Sequence, residues 1–188
     1  MTPNQVLAGA NRLFVRSLDN AGLDTGYQQP GGASFTVTGN RAPTNGTVSP
    51  LTGTTAAGAY RTITATYSDP DGAHNLNAVY LSLNRADASR RLEAVYIAET
   101  NRLYLINELG NLVGGFAPGS GNTITTGRGS LNCATTTVSR VGNTLTVNWS
   151  IAGTSALAGS NTISLRARDR GGLDTLYQLQ PGAEWVIV

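Results

Sequence analysis

The chain has no lysine: all 13 of its basic residues are arginine. That absence excludes Lys–Asn isopeptide cross-links, Schiff-base chemistry and a phosphate-binding P-loop lysine. It has one cysteine, Cys133, and therefore no internal disulfide. Its single histidine, His74, leaves little for a catalytic set, and neither a G-x-S-x-G elbow nor an H-E-x-x-H pair occurs. Charged residues make up 13% and aromatics 6%. No apolar stretch is long enough to span a bilayer. "MTPNQVLAGANRLF" lacks the basic region and apolar stretch of a signal peptide. The arginines are scattered, with only Arg90 and Arg91 adjacent, so the net charge of +2 gives no concentrated stripe for nucleic acid.

What is present is Gly, Thr, Asn and Ser, the composition of short strands and turns. It is also repeated. Residues 7–38 align without a gap to residues 157–188, at an offset of 150, with 14 of 32 positions identical. Arg16, Asp19, Gly22, Leu23, Asp24, Thr25, Tyr27 and Gln28 recur as Arg166, Asp169, Gly172, Leu173, Asp174, Thr175, Tyr177 and Gln178. A period of that length is domain-sized. Residues 1–38 read as the C-terminal strands of a preceding repeat, 39–58 as an inter-repeat joint leading into the next domain, and 59–188 as the body of a complete repeat. The chain reads as an excerpt from a tandem array.

Alternation with period two runs through "AYRTITATYSD", "LNAVYLSLN", "LEAVYIAE" and "TNRLYLIN". Val79, Leu81 and Leu83, and separately Val95 and Ile97, are expected on buried faces. "LNCATTTVSRVGNTLTVNWSIAG" predicts a hairpin turning at "VGNT", with Leu145, Val147, Trp149 and Ile151 on one face. "SNTISLRARD" and "LDTLYQLQ" predict a second hairpin, followed by a closing strand "AEWVIV". "ELGNLVGGFAPGSGNTITTGRG" reads as a Gly-rich loop with short strand pieces, and "SALAG" as one helical turn at most. Nine or ten short strands in 150 residues predict an all-β antiparallel sandwich with hairpin connections.

"APTNGTVSP", "ATYSDPDG" and "RARDRGGLDT" resemble the immunoglobulin-like and fibronectin-type-III-like repeats of large bacterial surface or secreted proteins. The resemblance implies an Ig-like Greek key, an extracellular or cell-surface setting, and a structural or adhesive role. It also implies a Ca²⁺ between domains, held by Asp69, Asp71 and Asp169, with Asp174 as a further candidate. Asp69 and Asp71 flank Pro70 in "SDPDG", where two carboxylates can face one hard cation. The same residues also read as turn chemistry, with Asp capping backbone N–H groups.

Glu93, Glu99 and Glu108 could supply a carboxylate pair for glycoside cleavage, but no aromatic cluster accompanies them. His74 reads as a loop histidine and Cys133 as a buried small side chain on a strand. Tyr60, Tyr80, Tyr96, Tyr104 and Tyr177 form a candidate platform for a surface glycan, or ordinary cross-strand pairs. Asn45 and Asn148 head N-x-S/T triplets, a pattern that arises by chance in such a composition.

The expected role is therefore a non-catalytic structural or adhesive module. A carbohydrate-binding module is the alternative. In the partial repeat, Leu13, Val15, Phe35 and Val37 are expected to lie uncovered and to mediate self-association, building a filament by strand complementation between subunits.

Overall fold

The computed structural model describes residues 7–87 and 90–188, which divide into two compact units after Asn40. The first unit is a small antiparallel pair, β1 (Gly9–Arg12) with β2 (Ser34–Val37). Among its described residues the second is all-β apart from a single 3-10 turn, Ser155–Leu157, within the expected "SALAG". There Thr154 accepts a hydrogen bond from the Ala156 N–H and so caps the turn.

Thirteen strands follow Arg41 among the described residues. They are β3 (Thr44–Ser49), β4 (Thr52–Thr55), β5 (Arg61–Ser68), β6 (Leu76–Arg85), β7 (Arg91–Ile97), β8 (Arg102–Ile106), β9 (Leu112–Phe116), β10 (Thr123–Thr126), β11 (Gly129–Asn132), β12 (Thr137–Val141), β13 (Thr144–Gly153), β14 (Gly159–Asp169) and β15 (Gln178–Ile187). One sheet runs β4-β15-β14-β6-β7-β8-β9. Its pairs are antiparallel except that of β4 with β15. The other runs β10-β11-β13-β5-β3, with β12 also paired to β13. β11 and β12 share one edge of β13 in succession, at Ile151–Gly153 and at Thr144–Asn148.

Alternate residues of both sheets meet in one core. Ile63, Ala65 and Tyr67 of β5 and Leu145, Val147, Trp149 and Ile151 of β13 come from one sheet. Val79, Leu81 and Leu83 of β6, Ile163 and Leu165 of β14 and Trp185 of β15 come from the other. Two apolar sheet faces joined in this way make a sandwich-like fold.

Several local expectations hold. The "VGNT" hairpin forms at Val141–Thr144, where Gly142 takes a φ of 55°. Others differ. β7 faces the opposite way: Leu92, Ala94 and Tyr96 point into the core, and Val95 and Ile97 lie on the other face. The outer face of β7 carries Val95 and Ile97 beside Arg91 and Glu93, so apolar residues stand on both faces and period two alone could not decide between them. Of the expected strand "LDTLYQLQ", residues 173–177 are not strand, Asp174 making one isolated bridge to Arg168; Gln178 and Leu179 pair with β14 and run on into "AEWVIV" as the single strand β15. Residues 44–55, inside the expected joint, supply one strand to each sheet. Cys133 is buried as expected but sits in the turn after β11 rather than on a strand.

Candidate functional site

The duplicated segment is the most distinctive local structure in the chain, because its two copies share strand register, loop bonds and side-chain clamp; they differ where the first makes a 3-10 turn at Pro30–Gly32 and the second runs on as β15. β1 pairs with β2 in the register Gly9↔Val37, Ala10↔Thr36, Asn11↔Phe35. β14 pairs with β15 as Gly159↔Ile187, Ser160↔Val186, Asn161↔Trp185, the same register displaced by 150. Asn11 Nδ2 donates to the Leu7 and Gly9 carbonyls, and Asn161 Nδ2 donates to those of Leu157 and Gly159. Gly9 and Gly159 take φ values of 111° and 102°, which only glycine adopts readily.

The connecting loops match as well. The Asp19 and Asp169 carboxylates accept the N–H of Leu23 and Leu173, both at 2.8 Å. Thr25 and Thr175 accept from the N–H of Ser17 and Ala167, both at 2.9 Å. Arg16 holds Asp24 as Arg166 holds Asp174, each guanidinium using two nitrogens. Each arginine also lies over a tyrosine ring, Tyr27 at 5.6 Å and Tyr177 at 5.5 Å. The sequence identity showed that the segment recurs; the arginine–aspartate clamp that explains which positions are kept was not visible in it.

The two copies differ in cover. Leu157, Ile163, Leu165 and Trp185 are fully buried, whereas Leu7, Leu13, Val15 and Phe35 at the same positions are about half exposed, and Val37 is half-buried where Ile187 is buried. The cover in the complete copy is explicit. β4 lies beside β15, β6 lies beside β14, Ile187 packs over Gly153, and Trp185 Nε1 donates to Thr55 Oγ1 at 2.9 Å. All four residues expected to mediate self-association thus sit on the face that the second copy buries.

The candidate calcium ligands are engaged within the protein. Buried Asp69 accepts from the Asp71 N–H at 2.8 Å and from Asn75 Nδ2 at 3.1 Å. Burial pushes its carboxyl up from the ordinary value, with the nearby Asp169 and Asp71 charges adding to the rise. Asp71 turns instead to Arg41, accepting from its backbone N–H and side chain. Asp174 is committed to Arg166. Among the described residues no three His, Cys, Asp or Glu side chains gather as a metal-binding group. Asp69 and Asp169 come near one another, and the loops they open are tied by the Arg170 N–H donating to the Asn75 carbonyl.

The five tyrosines do not form one surface. Tyr96 is in the core, where the expected outer-face position fails because β7 is reversed. Tyr80 and Tyr177 meet edge to face at 6.1 Å with Arg166 against both rings, so those rings are occupied by the protein itself. The Tyr177 hydroxyl donates to the Glu93 carboxylate, and burial with that contact pushes the phenol's pKa upward. Glu93, buried on the outer face of β7, also has Arg91 Nε at 3.0 Å. Beside it is a recess of about 220 Å³ bounded by Ile106, Asn107, Glu108, Gly110 and Arg128. Glu93 and Glu108 share this recess, each next to an arginine, while Glu99 lies in the turn beyond the far end of β7.

His74 is exposed in the turn before β6, and burial raises the Cys133 thiol's pKa. Asn45 Nδ2 donates to the Leu165 carbonyl and Thr175 Oγ1, and Asn148 is bonded to Thr64 and Thr137. Both triplet asparagines are therefore used internally. Comparison with known protein families, curated proteins and solved structures finds no match.

Proposed function

We infer that the chain is a non-catalytic structural or adhesive module of an extracellular tandem-repeat protein, with the Greek-key connectivity of Ig-like repeats. One observation carries this reading. Residues 7–37 match residues 157–187 in strand register, glycine conformation, arginine–aspartate clamp and the loop bonds of Asp19 and Asp169 and of Thr25 and Thr175, which supports a folding unit of 150 residues. Tandem units of one kind bury their faces against neighbours, and an uncovered copy of such a face is a point of assembly. The best-organised polar side chains support the same role. Arg166, Asp174, Tyr177 and Glu93 bind one another and fasten a loop to a sheet, leaving no free nucleophile or acid among them.

Sedimentation over a range of concentrations tests the reading. The full chain should associate weakly as concentration rises, and deletion of residues 1–38 should abolish the association while leaving the melting of the remainder unchanged. A chain that stays monomeric at every concentration, with or without those residues, overturns the assembling role.

A further inference from the structure

The groove that holds residues 157–187 has two chemically matched claimants in every chain. We propose that this groove, between β4 and β6, accepts either hairpin, so that residues 7–37 of one copy seat in a second copy whose own 157–187 has left it. The proposal rests on the module reading above and names the partner surface.

The fit follows position by position. Leu7, Leu13, Val15 and Val37 present aliphatic side chains where the groove now holds Leu157, Ile163, Leu165 and Ile187. Asn11 carries the same carbonyl-bridging amide as Asn161. Arg16 and Asp24 bring their clamp already formed. Because the two hairpins share one register, β1 would meet β6 as β14 does: Thr162 pairs with Asn84, so Arg12 would pair with Asn84.

Stoichiometry limits what exchange can achieve. Each chain has one groove and two hairpins, so an exchange frees one apolar face for each that it covers. Burial alone therefore does not drive it, and the balance falls to the differences between the hairpins. The main one is the anchor. Trp185 fills the core and donates to Thr55 Oγ1, whereas Phe35 is smaller and has no donor. The resident hairpin is also tethered to its own groove, which gives it a high effective concentration. The parent chain should therefore exchange only weakly, and interchanging the two anchors should favour exchange.

The test uses full-length chains carrying Phe35→Trp and Trp185→Phe, a pair of substitutions that keeps an aromatic ring at both positions. One pool also carries Arg12→Cys and the other Asn84→Cys; the native Cys133 is buried and does not compete. After mixing and mild oxidation, a covalent dimer should form at least several-fold more than in the same cysteine pools with the parent Phe35 and Trp185. Replacing Arg12→Cys by Asn20→Cys, on the exposed turn of the hairpin, should remove it. In the parent background, which leaves the resident hairpin intact, Phe35→Ala should lower the residual cross-link whether or not the anchor-exchanged chain folds. No dimer above the Asn20→Cys level, or a dimer indifferent to both Phe35 substitutions, overturns the proposal. Concentration-dependent sedimentation without the 12–84 cross-link would overturn this docking geometry alone and leave the module reading standing. A chain given both Arg12→Cys and Asn84→Cys that closes the cross-link within itself, while the mixed single-cysteine pools give no dimer, would assign the groove to the chain's own first hairpin and overturn exchange between copies.

Discussion

The residues that recur across the 150-residue offset are those that hold a loop against a sheet, and Arg166 with Asp174 is the best example. Asp174 Oδ1 accepts from Arg166 Nε at 3.0 Å and from the Leu176 N–H at 2.8 Å, while Arg166 is flanked by Tyr80 and Tyr177. The arginine hydrogen bonds lower the Asp174 carboxyl below the ordinary carboxylate range, and the pair is mostly shielded from solvent. A lowered carboxylate pKa adds stability that is fully present above the unfolded-state value and is lost as pH falls through the folded-state value. Asp174→Asn should therefore cost about 1–2 kcal/mol near neutral pH. The gap from the parent chain should close as acid protonates Asp174 in the latter. Denaturant melts at several pH values check this; a deficit that is constant down to strongly acidic pH would mean that the carboxylate charge is not what holds the loop.

At the scale of the element, the two hairpins amount to a natural substitution experiment. The residue after the clamping aspartate and threonine is Gly26 in one copy, at a φ of 64°, and Leu176 in the other, at a φ of 55°. A leucine in the left-handed region is strained by roughly 1 kcal/mol or more, and Leu176 is 67% exposed, so it gains little burial in return. Leu176→Gly should stabilise the chain by about 0.5–1 kcal/mol, the first copy's glycine supplying the precedent. Thermal melts would show it, and a lower midpoint would mean that the exposed leucine makes a contact worth more than the strain.

The same hairpins show what was legible in the sequence. Fixed-offset identity located the segment, and alternation found β5, β6 and β13, because these strands have one apolar face and clear turn residues. The face of β7 was not legible, since Val95 and Ile97 stand on its outer side with Arg91 and Glu93, where Tyr177 reaches Glu93, and match the apolar residues of the core side. Nor was β4. "TGTT" has no apolar residue, and it is a strand because β15 offers it a parallel edge, a long-range fact with no local signature. The aspartates of "SDPDG" were visible as turn or metal chemistry, but the partners they take were not: Asp69 takes Asn75 six residues on, and Asp71 takes Arg41, thirty residues back in the sequence.

For the molecule as a whole, identical hydrogen bonds stand in unequal surroundings, which separates the contribution of the bond from that of its cover. The Thr25 N–H donates to the Ser17 carbonyl at 3.0 Å, and the Thr175 N–H donates to the Ala167 carbonyl at 3.0 Å. Val15 and Gln28 exchange both their backbone bonds at 2.8 Å, as partners in the register that Leu165 and Gln178 occupy in the complete copy. If local bonding set stability, the members of each pair would exchange their amide hydrogens with solvent at similar rates. An isolated two-stranded hairpin is marginal in water, however, and stability in a folded chain follows buried apolar contacts. In dilute solution the Val15 and Thr25 amides should therefore exchange at least about 100-fold faster than those of Leu165 and Thr175. Because seating in a second copy's groove covers the face of Leu13, Val15 and Phe35 and releases that copy's own hairpin, raising the protein concentration should slow exchange at Val15 and speed it at Leu165. Equal protection of the matched amides at low concentration would show that the first hairpin is held by something other than that face, and would remove the reason for it to seek a partner.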